Sequence, residues 1–361
     1  MFHRLFVPCL FIVALLASPA LGQRPQVSPE EQLKQLLQRF PDADADRDGT
    51  LTREEAQAYR AKLQGKDGKP PDRKQLAPPV KPTYADVHYG PHERQVLDFY
   101  QSKSSQPAPV IIYIHGGGFV GGDKRSVNSA VLQDALDAGI SLAAIHYRFV
   151  DGDQTLFPVP QHDGARAVQF IRSQAKDWNV DPARIACYGG SAGAGISMWI
   201  GFHDDLAQPD SPDPVARQST RIRAIGTMGG QGTYDPVKIK QLIGGRAHEH
   251  PSLLKVYGLK SLEEAMNPTP AIQKLYDEAA AITHLTKDDP PLYMMYNEPD
   301  IVPPADAQPG QFIHHPNFGR QLKAKMDELG IENVFINGGG IPRSPQPPGG
   351  MLDFLKQHLL K

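Results

Sequence analysis

One serine in this chain stands where a serine becomes a nucleophile. Gly189, Gly190, Ser191, Ala192 and Gly193 fit G-x-S-x-G, between a short apolar run at 184–188 and a helical stretch. A tight strand-to-helix turn puts such a serine in a cramped backbone pose, and glycines at the flanking positions let neighbouring chain pass close by. The free N–H groups and positive dipole of the helix start then face negative charge developing beside the hydroxyl. A second element serves the same chemistry. The apolar run 110–115 ends in His115 and continues as Gly116, Gly117, Gly118 and Phe119. Three successive glycines let backbone N–H groups point inward, toward the oxyanion of a tetrahedral intermediate. Acyl transfer through a serine is the chemistry these two turns predict.

A separate motif predicts a metal. Asp44, Asp46, Asp48, Gly49, Thr50 and Glu55 occupy positions 1, 3, 5, 6, 7 and 12 of a calcium-binding EF-hand loop. Carboxylates at 1, 3, 5 and 12 surround a hard cation with oxygen, glycine at 6 allows the sharp turn, and the Thr50 carbonyl completes the shell. Leu33, Leu36, Leu37 and Phe40 line one face of a helix before the loop, Ala56 and Tyr59 follow it, and Pro41 ends or bends the first helix early. An unpaired hand is expected to bind weakly, which extracellular calcium tolerates.

The elements that must hold the serine follow from apolar runs alternating with amphipathic stretches after residue 87, the signature of βαβ units around a mostly parallel sheet. Strands are predicted at 87–89 and 95–100 as a hairpin, then at 110–115, 140–146, 184–188, 222–227, 292–296 and 333–336. Helices are predicted at 164–176, after Ser191, at 317–329 and from Met351 onward. Helical segments within 233–289 interrupt the strand rhythm and are expected to cap the site. The chain divides into 1–22, an EF-hand module at 29–63, a linker rich in Pro, Lys and Asp at 64–83, and a large domain at 84–361.

With these residues in view, the chain resembles the carboxylesterase and hormone-sensitive-lipase-like α/β-hydrolases. The resemblance rests on His115 to Phe119, Tyr147 and Arg148, Phe157 and Pro158, Asp181 to Ile185, and Gly189 to Gly193, and covers roughly 84–361. It implies an α/β-hydrolase fold with a helical cap, Ser191 as nucleophile, and Gly117, Gly118 and Ala192 as oxyanion-hole amides. It further implies hydrolysis of short-acyl or acylated-sugar esters without a catalytic cofactor. The family's acid follows the penultimate strand, where Glu298, Pro299, Asp300, Ile301, Val302 and Pro303 stand; Asp300 is the candidate and Glu298 the runner-up.

The family's histidine follows the last strand, yet this chain has Ile341 in that loop and no histidine. His314 and His315 offer a substitute, because loops after parallel strands open on the edge of the sheet where Ser191 sits. His315 is preferred, since Pro316 biases it toward an extended pose. The alternative is a lost base, leaving a catalytically silent fold that binds a ligand or partner. His358 reads as surface decoration in the terminal helix. His162 with Asp163, and His203 with Asp204 and Asp205, read as structural, while His248, Glu249 and His250 in the cap are candidates for substrate contact that no spacing argues.

Composition excludes other classes. A formal charge of -2 over 361 residues gives nucleic acid no basic field. Residues 1–22, with one positive charge before an apolar run and a small-x-small site at Ala20 and Gly22, read as a cleavable signal peptide, so a secreted or periplasmic location is expected. Its loss leaves Cys187 as the mature chain's single cysteine, a small buried hydrophobe. No membrane span is expected in the mature chain.

Overall fold

The computed structural model describes residues 80–338 and 350–361, together with Leu33, Leu37, Asp44, Asp48 to Thr52, and Glu55. The signal-peptide region, Asp46, most of 64–83 and Ile341 lie outside the described residues. The chain forms two compact units, Met1–Asp72 and Arg73–Lys361.

Among the described residues, the larger unit is built on eight strands: β1 (Tyr84–His88), β2 (Val96–Tyr100), β3 (Ala108–Ile114), β4 (Ser141–Ile145), β5 (Val180–Gly190), β6 (Ile225–Met228), β7 (Leu292–Tyr296) and β8 (Asn333–Asn337). They form one sheet in the order β1-β2-β4-β3-β5-β6-β7-β8. β1 and β2 pair antiparallel, as do β2 and β4, and every later pairing is parallel. The helices are α1 (Ser129–Asp137), α2 (Val159–Ser173), α3 (Ala192–Phe202), α4 (Pro236–Ile243), α5 (Pro251–Tyr257), α6 (Leu262–Met266), α7 (Pro270–Ala279), α8 (Ala281–His284), α9 (Asn317–Leu329) and α10 (Met351–Leu359). This is the α/β-hydrolase fold that the resemblance implies.

Period-2 alternation explains how the sheet carries two cores. In β3, Val110, Ile112 and Ile114 face one apolar layer, which holds Ile196 and Trp199 of α3. Ile111 and Tyr113 face the other, with Leu132 of α1 and Phe354 of α10. Both faces are covered, so all seven β3 residues are buried and the strand reads as a continuous apolar run. Cys187 on β5 is fully buried, with its thiol pushed up to about 12 by that burial, in keeping with a packing role.

Several elements differ from the expectation. α1 had no predicted counterpart; Asn128 starts it by accepting from the N–H groups of Ala130 and Val131. α2 begins at Val159 rather than near Gly164, with Pro160 in its first turn, where a missing N–H costs nothing. β5 pairs as early as Val180 with Ala108 and reaches Gly190. Among the described residues no helix is long and apolar enough to cross a membrane.

Candidate active site

β5 ends and α3 begins on either side of Ser191, whose φ of 51° and ψ of -119° place it in the left-handed half of backbone space. A non-glycine residue there is strained, and such strain persists only where the surroundings over-determine it. Here they do. The Ser191 N–H donates to Met228 O at 2.9 Å. A Cβ on Gly189 would lie 2.4 Å from Ile114 O, and one on Gly193 would lie 2.0 Å from the same oxygen. Glycine at both positions lets β5, α3 and the end of β3 meet behind the serine.

Across the cleft, the loop after β3 turns through Gly117 at φ +117° and Gly118 at φ +59°. Together with Ala192, the first residue of α3, these glycines line the cleft beside Ser191. None of the three N–H groups donates to a backbone or side-chain acceptor among the described residues. Three unspent donors at a helix start and a glycine turn are suited to an incoming oxyanion.

His115 supports this loop from below. It is fully buried, stacks on Tyr147 with centroids 4.4 Å apart, and its Nδ1–H donates to Gly116 O at 2.8 Å. Burial holds His115 down to about 4, and burial beside the Arg94 guanidinium holds the neighbouring His146 at about 3. Both are therefore neutral in the folded state, whereas an unfolded histidine titrates near ~6.5. Below that pH the unfolded chain takes up protons that the folded chain refuses, so the contribution of these rings is complete above ~6.5 and is lost down to about 4 for His115 and about 3 for His146. Each group contributes at most roughly 1.4 kcal/mol per pH unit. Melting curves between pH 7.5 and 4.5 should show this fall, with a shallower slope in His115→Asn; an unchanged slope would remove His115 from the account.

The long loop after β7 supplies the partner of the serine. His314 Nε2 lies 2.8 Å from Ser191 Oγ, and His314 Nδ1 lies 3.1 Å from Glu298 Oε1. The His314 backbone N–H also donates to Glu298 Oε2 at 3.0 Å. A carboxylate accepts only, so Nδ1 carries the proton and Nε2 is left to accept the Ser191 hydroxyl. The ring needs room: Gly229, at φ +59°, would place a Cβ 3.0 to 3.2 Å from the His314 Cβ and ring.

Two sequence-based assignments are corrected by this geometry. His315, preferred over His314, is buried and points away. Its Nε2–H donates to Ile301 O at 3.0 Å, and its Nδ1 accepts the Asn317 N–H at 3.1 Å, so the ring fastens the start of α9. Asp300, preferred over Glu298, is bound by Arg320 of α9 and accepts from Asn337 Nδ2 at 2.9 Å; the Arg320 guanidinium holds its carboxyl below the usual range. Among the described residues, neither side chain hydrogen-bonds to Ser191 or to the His314 ring. His358 packs its ring on Phe354 beside Glu332. Asp163 is buried and bound by Arg148 and Gln95, a structural role as expected.

The cleft over Ser191 encloses about 540 Å³, within the range of small-molecule sites. Phe119 and Tyr234, in edge contact at 5.2 Å, give it an apolar wall, and Leu253 and Val256 of α5 close it from the cap. His250 and Ser252 also line it. His250 Nδ1 accepts the Ser252 N–H at 3.3 Å, which leaves its proton on Nε2 as a donor.

In the smaller unit, Gly49 adopts φ +86° and its N–H donates to Asp44 Oδ2 at 2.9 Å; the Thr50 N–H donates to Asp48 Oδ1 at 2.7 Å. Glu55 Oε2 accepts from the Thr52 N–H at 2.9 Å, and Leu51 is buried. Asp44 Oδ1 is buried without a hydrogen-bond partner among the described residues. A shielded carboxylate oxygen left without a donor fits a cation.

Comparison with known proteins bears on the larger unit. The BD-FAE family profile matches residues 97–309. LipM of Mycobacterium tuberculosis, described as a probable carboxylic ester hydrolase, is 25% identical over 231 residues, covering 62% of this chain and 50% of that protein. The esterase LipQ of the same organism is 25% identical over 233 residues, covering 62% and 51%. The chain thus spans about half the length of these relatives. Among solved structures, a truncated carbohydrate esterase from gut microbiota superposes with a TM-score of 0.57 at 21% identity, covering 77% of this chain and 96% of that one. An acetyl ester-xyloside bifunctional hydrolase from Caldicellulosiruptor lactoaceticus superposes at 0.56 and 19%, with the same coverage. At such identities these structures bear on the fold alone.

Proposed function

The chain belongs to the BD-FAE family, and from that membership we propose that it hydrolyses carboxylic esters through an acyl-enzyme on Ser191, with His314 as base and Glu298 as acid. The observation that carries this reading is the continuous chain from Ser191 Oγ through His314 to Glu298, at 2.8 and 3.1 Å. Ser191 Oγ attacks the ester carbonyl while its proton passes to His314 Nε2. The carbonyl oxygen becomes an oxyanion held by the N–H groups of Gly117, Gly118 and Ala192. Collapse breaks the ester C–O bond, and the leaving alcohol takes the proton from His314. Water then repeats the sequence, releasing the carboxylic acid and restoring the Ser191 hydroxyl. Glu298 fixes the Nδ1–H tautomer throughout and stabilises the imidazolium. The reading of a silent binding fold loses its main support, because a histidine does reach the serine.

Short-acyl or acylated-sugar esters are the substrate class proposed, since the apolar wall takes an acyl chain and His250 and Ser252 present polar groups to the rest. Glu298 against Asp300 is the sharpest test of the assignment. Glu298→Gln should lower kcat on p-nitrophenyl acetate by roughly 10³–10⁴-fold, because the tautomer is no longer enforced. Asp300→Asn loses only a half-exposed ion pair and should stay within about threefold. The reverse order would transfer the acid's role to Asp300.

The loop around Asp44 is proposed to bind calcium through Asp44, Asp46, Asp48, Glu55 and the Thr50 carbonyl, and residues 1–22 to direct the chain out of the cytoplasm. Calorimetric titration of the full chain should give one site with a Kd of roughly 10⁻⁴–10⁻³ M. At a hundredfold excess over Kd the bound state gains about 2.7 kcal/mol. Asp44→Asn and Glu55→Gln should each remove the heat; absence of heat in the unmodified chain up to ~10 mM calcium would rule the site out.

A further inference from the structure

The far end of the nucleophile helix carries a cluster that ester hydrolysis does not use. His203 follows the last residue of α3, Glu278 lies in α7, and His284 ends α8; one ligand atom from each lies within 4.8 Å of the others. His203 Nε2 is 3.4 Å from Glu278 Oε1. That is long for a hydrogen bond of this kind. It matches two ligands of one tetrahedral ion, since bonds of ~2.0–2.1 Å place ligand atoms about 3.3 Å apart.

Tautomers favour the same reading. His203 Nδ1–H donates to Asp204 O at 3.0 Å, which leaves Nε2 as a lone-pair nitrogen facing Glu278. His284 Nε2–H donates to Glu278 O at 2.8 Å, which leaves Nδ1 as its lone-pair nitrogen. An imidazole whose other N–H is tied to a backbone carbonyl is the usual support of a metal ligand. Trp199 stiffens the cluster: its Nε1–H donates to Glu278 O at 2.8 Å, and its ring lies 4.3 Å from that of His203. The His203 and Glu278 side chains keep 18% and 38% exposure, enough for an ion to enter from solvent.

We propose that His203, Glu278 and His284 bind a divalent transition-metal ion, zinc by ligand type, with water in the fourth position. The ion would clip the end of α3 to the corner between α7 and α8. Its place is distinct from the oxygen-lined loop around Asp44, which suits calcium.

The test is calorimetric titration of the full, chelator-treated chain with zinc chloride, in excess calcium so that the Asp44 loop is saturated. A site with Kd on the order of 1 µM or tighter is expected. His203→Gln and His284→Gln should each weaken it at least about 100-fold, since losing a ligand costs no less than losing its support. His314→Ala should leave it unchanged, which separates this site from the serine's histidine. Should either glutamine variant fail to fold, cobalt(II) added to the unmodified chain decides: strong visible absorption of a tetrahedral ion supports the site. Weak zinc binding, binding unaltered in both variants, or a cobalt spectrum like that of the free ion would overturn it.

Discussion

Ser191→Ala is expected to lower ester turnover on the order of 10⁶-fold, the cost of removing a serine nucleophile whose base acts with it as a unit. Folding should be nearly untouched. The backbone pose at φ 51° is set by Gly189, Gly193 and the Met228 carbonyl, not by the hydroxyl, and alanine carries the same Cβ as serine. Kinetics on p-nitrophenyl acetate beside a melting curve check both halves. A variant that keeps its melting temperature and its turnover would take the nucleophile's role from Ser191.

The second large effect separates two neighbouring histidines. His314→Ala should lower kcat by roughly 10⁴–10⁶-fold, because the hydroxyl proton then has no acceptor. His315→Ala should leave kcat within about tenfold and instead cost roughly 1–3 kcal/mol of stability, since it strips the Asn317 N–H and the Ile301 carbonyl of a buried partner. Equal kcat losses in both variants would mean that the loop as a whole, rather than one ring, supports the reaction.

The sequence reached most of this site but settled on the adjacent histidine, and on a carboxylate two positions away. Ser191 and the glycine loop were legible because their chemistry requires particular residue types at fixed offsets, and glycine requirements such as Gly189 and Gly193 are written in the letters themselves. The strands were legible because sheet burial on both faces produces unbroken apolar runs like β3. The acid and base were not, because their choice depends on which way a side chain leaves an irregular loop. Pro316 does constrain His315, yet the constraint serves the entry to α9, and neighbouring residues on that loop send their rings in different directions. Asp300 fitted the expected spacing, but Arg320 and Asn337, distant in sequence, hold it. One signal was present: Gly229, at the end of β6, keeps the space into which the His314 ring packs. Nothing in sequence order ties that glycine to that histidine.

Activation of Ser191 can be measured without knowledge of the substrate. The full chain is incubated with a fluorophosphonate, its intact mass is recorded, and the adduct is mapped by peptide sequencing. A single adduct on Ser191 is predicted, forming rapidly in the unmodified chain and at least about 10³-fold more slowly in His314→Ala, where the hydroxyl has lost its base. An unmodified chain that takes no label, or takes it on another residue, would contradict the account.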